Sequence, residues 1–284
     1  MAMNSKHFLG LGPHGFHRVH YTEWGDPAND NILICVHSLT RQGRDFDALA
    51  AALENSYRVI CPDIVGRGRS DWLAHKADYS YPQYLADMTA LIARSGADRV
   101  DWVGTSMGGL IGMFLAAQPG TPVRKLVMND VGPFIPKAGL QRIAEYVGKP
   151  VRFATLDEME RWLRLVAAPF GPLTDAQWRH LTVHSARQLD NGEYAFAYDP
   201  GIAETFKAKL EDVDLWPVWE AVQCPVLLLR GAESDVLTRA DAEAMQQRGP
   251  RATLVEFAGI GHAPALLASA QIEVVRDWLL EAGW

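Results

Sequence analysis

Cysteine is scarce in this chain. The three present, Cys35, Cys61 and Cys224, are an odd number with no Cys-x-x-Cys spacing, which argues against a disulfide framework and against a zinc ribbon. Each lies in or beside an apolar stretch, where a small thiol reads as core packing. Long apolar runs are also missing, since none approaches the roughly 20 residues needed to cross a bilayer. The opening Met1-Ala2-Met3-Asn4-Ser5-Lys6-His7 lacks the apolar segment of a secretory leader, so the expected location is the cytoplasm, with no membrane partner. Positive charge is in deficit: 27 Lys and Arg stand against 34 Asp and Glu, a formal net charge of −7. Such a surface has no general attraction for a phosphate backbone, and nucleic acid is not an expected partner. No internal repeat or low-complexity linker interrupts the sequence.

What is present is an ordinary globular composition, 48% hydrophobic, 21% charged and 10% aromatic over 284 residues. That length suits one large α/β domain, or a core with a smaller insertion. Apolar, β-branched runs recur at 32–36, 57–61, 100–103, 125–128, 226–229 and 253–257, separated by Gly/Pro/Asp punctuation and by segments of helical period. This is the signal for βαβ units and a mainly parallel sheet. Helices are expected at 45–53 and at 81–94, the second started by Pro82. Alternation around Phe16, Val19 and Tyr21 favours an edge hairpin. After Gly132-Pro133 the alternation stops, and to about residue 215 helical segments follow one another with no convincing strand. The expected organisation is therefore a first core part at 1–133, a helical cap at 134–214 and a second core part at 215–284.

Gly104-Thr105-Ser106-Met107-Gly108-Gly109 lies between the strand run at 100–103 and an apolar helical segment. Strand, sharp turn and buried helix together present the central hydroxyl above a sheet, with glycines two positions away permitting close approach. Ser106 is the candidate nucleophile. A serine hydroxyl needs a base, and the base needs a third group to fix its tautomer. His262 follows the last strand run in the loop Ala258-Gly259-Ile260-Gly261-His262-Ala263-Pro264 and is the candidate base. Two acids compete for the third position. Asp235, just after 226–229, immediately precedes the His-bearing unit and is preferred; Asp130, just after 125–128, is the alternative.

At these residues the sequence resembles the α/β-hydrolase fold superfamily, in particular its smaller cap-bearing esterase-type members, over nearly the whole chain apart from the variable cap. The resemblance implies a mainly parallel central sheet flanked by helices with a helical cap inserted, and a serine hydrolase that needs no cofactor and no metal. Its expected partner is a small-molecule ester, largely apolar, cleaved through an acyl-enzyme. By position, the backbone N–H groups of Leu39 and Met107 form the oxyanion hole. The segment His37-Ser38-Leu39-Thr40-Arg41 departs from the family's usual His-Gly-x, because Ser38 stands where glycine is usual. His37 is expected to shape this loop, and Asp63, in Pro62-Asp63-Ile64-Val65-Gly66-Arg67-Gly68-Arg69-Ser70, to hold its own loop by hydrogen bonds. Carbon–carbon bond hydrolases of ring-fission products and enol-lactone hydrolases are the alternatives within the fold. Haloalkane dehalogenases and epoxide hydrolases are disfavoured, because they carry an aspartate where this chain has Ser106. A non-catalytic ligand receptor is the alternative of another class, against which the intact Ser, Asp, His order argues.

Three further signals are weighed and set aside. Gly10-Leu11-Gly12-Pro13-His14-Gly15 matches a dinucleotide-binding pattern but lacks the preceding strand and following helix that give it meaning. His180 and His184 are spaced to share a helix face, yet the glutamate of a His-Glu-x-x-His site is absent. Trp162, Trp178, Trp216 and Trp219 read mainly as packing, with one or two facing a substrate cleft.

Overall fold

The β-branched runs pair into one sheet, as a computed structural model describing residues 3–208 and 210–281 reveals. Its first strands are β1 (Asn4–Gly12), β2 (Gly15–Trp24), β3 (Ile32–Val36), β4 (Arg58–Pro62), β5 (Val100–Thr105) and β6 (Val123–Asn129). Four short strands follow in the insertion: β7 (Phe134–Ile135), β8 (Ala186–Gln188), β9 (Tyr194–Phe196) and β10 (Val213–Asp214). The sheet is completed by β11 (Val226–Gly231) and β12 (Thr253–Phe257), in the order β1-β2-β4-β3-β5-β6-β11-β12. The pairs β1–β2 and β2–β4 are antiparallel and all others parallel. The Gly-rich segment at 10–15 is the hairpin turn, where Gly12 faces Gly15 and Gly15 takes a φ of 123°.

Alternate side chains of the parallel strands face opposite layers. Ile34, Val36 and Trp102 pack on one face with α2 (Tyr81–Ser95) and α3 (Met107–Ala116), whereas Leu33, Cys35, Cys61 and Val103 pack on the other. That second face is covered by α1 (Asp47–Leu53) and α10 (Ser269–Leu280). Cys35 and Cys61 are buried there, and Cys224 is half-buried. The helix expected at 45–53 is split, a 3-10 turn at Gly43–Phe46 leading into α1. Strand order reverses at β3, which lies between β4 and β5, so the loops after β3 and β5 run to opposite faces and leave a crevice between them.

Between β6 and β11 lie α4 (Lys137–Ala144), α5 (Leu156–Val166), α6 (Asp175–Ser185), α7 (Ile202–Lys207) and α8 (Trp216–Ala221), the last at the return to the core. The four short strands correct the expectation of an insertion without strands. β7 and β10 pair where the chain leaves and re-enters, and β8–β9 is a hairpin turned by Asn191-Gly192, with Gly192 at φ 86°. Such strands are too short to show a two-residue period, but Asn-Gly is itself a hairpin signal. Leu163, Ala167, Trp178 and Leu181 form a small cluster of their own with Leu267, while Ile143, Val147, Tyr198 and Ile202 join the main core. The glycine-rich loop after β4 is bonded to the insertion through Gly68 N to Ala197 O, 2.7 Å, and Asp199 N to Gly66 O, 2.8 Å. After α8 comes α9 (Arg239–Met245), between β11 and β12. No helix among the described residues is long and apolar enough to cross a membrane.

Candidate active site

Ser106 stands between the end of β5 and the first turn of α3 with φ 51° and ψ −114°. This strained backbone is held because the glycines around it allow strand and helix to touch. A Cβ on Gly104 would lie 2.2 Å from the Gly108 carbonyl, and one on Gly108 would lie 2.0 Å from the Val36 oxygen. The hydroxyl is thereby aimed into the crevice. Its partner is His262, whose Nε2 is 3.0 Å from Ser106 Oγ.

The carboxylate on the far side of His262 belongs to Asp130, with Oδ2 2.7 Å from Nδ1. This corrects the preference for Asp235. Both acids satisfy the chain order Ser, Asp, His, so order could not separate them. Asp130 follows β6, the strand beside β5, and its φ of 57° turns its side chain inward to full burial. There Oδ1 accepts from Gly231 N at 2.8 Å and Oδ2 from Ser234 Oγ at 2.6 Å. The turn after β11, closed by Ser234 N to Gly231 O, sends Ser234 toward Asp130 and its neighbour Asp235 toward Arg142. Asp235 is bound instead by Arg142 of α4, through Nε and through Nη2 at 2.8 Å. Burial pushes the Asp235 carboxyl up, but the Arg142 hydrogen bonds and charge hold it below its ordinary value. With Asp130 accepting from Nδ1–H, Nε2 is left as the acceptor for the serine hydroxyl.

Leu39, in the loop after β3, lines the cavity beside Ser106. Met107 is the first residue of α3, where a backbone N–H has no acceptor within its own helix. A buried arginine of the glycine-rich loop after β4, to whose side chain no motif assigns a role, clamps both residues: Arg67 donates through Nε to Leu39 O at 2.8 Å, and its Nη2 is 3.7 Å from Met107 Sδ. The same guanidinium donates to Val65 O and Tyr84 Oη and lies over the Tyr84 ring. His37 is buried. Its Nδ1 donates to Ser38 O at 2.7 Å and its Nε2 accepts from Ile64 N at 2.9 Å, which ties the loops after β3 and β4 together. Burial lowers its pKa to about 4, so it is neutral there. Ser38 is not among the described non-glycine residues with positive φ, so this loop does not require glycine at that position. Asp63 accepts from Gly43 N, Arg69 N and His20 Nδ1.

Above Ser106 and His262 lies a cavity with an apolar wall of Trp162, Leu163, Val166, Phe170, Leu181 and Phe196. Arg41, Arg142, Tyr146 and Tyr198 also line it. Trp178 and Trp219 are buried, while Trp216 lies under the Arg248 guanidinium. His180 and His184 lie with Asp47, their potential ligand atoms within 4.8 Å of one another. His180 Nε2 meets the Arg44 carbonyl at 2.9 Å, and Asp47 is paired with the Arg44 side chain.

Residues 33–277 match the model of the alpha/beta hydrolase family. The chain belongs to that family. It is 47% identical to the 3-hydroxybutyrate-oligomer hydrolase of Cupriavidus necator over 281 residues, covering 96% of each chain. Among solved structures, a Rickettsia typhi protein superposes with a TM-score of 0.91 at 34% identity, covering 98% of this chain and 99% of that one. An alpha/beta hydrolase from Novosphingobium aromaticivorans superposes with a TM-score of 0.88 at 36% identity and the same coverage. This α/β hydrolase thus has ester-hydrolase relatives and carries the eight-stranded sheet on which Ser106, His262 and Asp130 meet.

Proposed function

We propose that this α/β hydrolase cleaves carboxylic esters of small to medium molecules through an acyl-enzyme on Ser106. The observation that carries the reading is the continuous hydrogen-bonded line from Asp130 through His262 to the Ser106 hydroxyl at the floor of the cavity. Ser106 Oγ attacks the ester carbonyl carbon as its proton passes to His262 Nε2, and Asp130 stabilises the imidazolium through Nδ1–H. The tetrahedral oxygen is met by the N–H groups of Leu39 and Met107, a type of contact worth about 3–4 kcal/mol per donor. The carbon–oxygen bond to the leaving alkoxide breaks, and that oxygen takes the proton from Nε2. Water then gives its proton to His262 and attacks the acyl carbon, releasing the acid and restoring the Ser106 hydroxyl.

The name of the 47% identical relative makes short 3-hydroxybutyrate oligomers the first substrates to try. In each ester bond of such an oligomer the leaving alkoxide is the hydroxyl of another unit, so the same steps yield two shorter hydroxy acids. Ser106→Ala is expected to abolish turnover of p-nitrophenyl butyrate and of the oligomers, and to abolish labelling by a fluorophosphonate probe. Retention of most turnover in that variant would remove Ser106 from the mechanism. Inertness of the folded wild-type protein toward the probe would favour a ligand receptor.

A further inference from the structure

Two arginines face the cavity in the same manner. Arg41, from the loop after β3, is held by Asp45 through Nε and Nη2, each at 2.7 Å. Arg142, from α4, is held through its own Nε and Nη2 by Asp235. Among the described residues no hydrogen bond uses Nη1 of either guanidinium, and none uses the hydroxyl of Tyr146, which lines the same cavity. Arg41 is an arginine with only 8% of its side chain exposed, so its free Nη1 is not an ordinary solvated surface group. The cavity therefore has an aromatic wall and, apart from the catalytic groups, a set of unpartnered donors.

We infer that Arg142, with Arg41 and Tyr146, anchors a free carboxylate of the substrate, so that this hydrolase selects esters that are themselves monoanions. This rests on the ester-hydrolase reading above. Each aspartate fixes one edge of its guanidinium and leaves the other edge preset for an acceptor, so little side-chain entropy is lost on binding. Each guanidinium is already offset by its aspartate, so the remaining edge acts through directed, charge-assisted hydrogen bonds that fit a planar carboxylate. An oligomer of a hydroxy acid ends in such a carboxylate, whereas a simple alkyl ester has none.

The test compares the linear dimer of 3-hydroxybutyrate with its uncharged carboxamide, following cleavage of the internal ester by chromatography. The wild-type kcat/KM for the acid should exceed that for the amide by about 10- to 100-fold, the range of one or two charge-assisted hydrogen bonds, and the difference should lie in KM. Arg142→Gln should bring the ratio near one, with Arg142→Lys between it and wild type. Replacing Arg142 also breaks its tie to Asp235, so Tyr146→Phe serves as a second variant, expected to lower the ratio two- to fivefold. A merely structural Arg142 would lower the melting temperature and slow both substrates alike, leaving the ratio as it was, and that result overturns the inference. Turnover of p-nitrophenyl butyrate together with a wild-type ratio near one overturns this inference alone; failure to turn over any ester overturns the underlying reading as well.

Discussion

Asp130 accepts from His262, Gly231 and Ser234 while fully buried. Burying a carboxylate without donors costs several kcal/mol, and these three offset that cost. Because the same carboxylate sets the tautomer of His262, Asp130→Asn is expected to lower kcat for p-nitrophenyl butyrate by about 10³- to 10⁴-fold. Asp235→Asn should lower it less than tenfold, because Asp235 is 43% exposed at the side chain and bound to Arg142. Steady-state kinetics of the two variants decide between the acids, and the opposite ranking would return the role to Asp235.

Among the elements, the β5–α3 elbow is the least tolerant of added volume. The Gly108 position leaves no room for a methyl group against the Val36 carbonyl, a backbone atom that cannot turn aside. Gly108→Ala must therefore push the start of α3 away from β3, moving Ser106 and Met107 together. A shift near 1 Å in a reacting group costs about 100-fold, so we expect at least that loss in kcat/KM, with a lowered melting temperature. Unchanged kinetics in this variant would mean that α3 can slide without cost. The turn after β11 is a comparable device, because Ser234 and Asp235 are consecutive residues that serve different partners, His262's acid in one case and Arg142 in the other.

At the scale of the whole molecule, buried histidines make stability depend on pH. Burial lowers His37 from 6.5 to about 4, so above pH 6.5 neither state binds a proton there. As pH falls from 6.5 toward 4 the unfolded chain takes one up and the native state does not, and stability drops by up to about 3 kcal/mol in total. His184, lowered to about 4 by burial and by Arg44 and His180, acts in the same direction with less weight because it is half exposed. His17 opposes them: its hydrogen bond to Asp87 raises its pKa, so its stabilisation is full below 6.5 and is lost as pH rises through the raised value. Urea unfolding of wild type and His37→Asn between pH 7 and 4 should give a shallower acid decline in the variant, and parallel curves would count against a neutral His37. Much of this architecture was legible in the sequence. Strand runs, the elbow and the loop bearing His262 are local patterns, because side-chain period and glycine placement act over a few residues. Asp130 and Asp235 were not separable in that way, nor was the role of Arg67 visible, since each depends on which strands become neighbours and which way a turn throws one side chain. Local patterns of this kind are enough to give a sheet with a serine on a strand-to-helix turn. Which acid faces the histidine and which arginines line the cavity is set by folding, because Asp130 with His262 and Arg142 with Asp235 lie far apart in the chain and their directions come from packing.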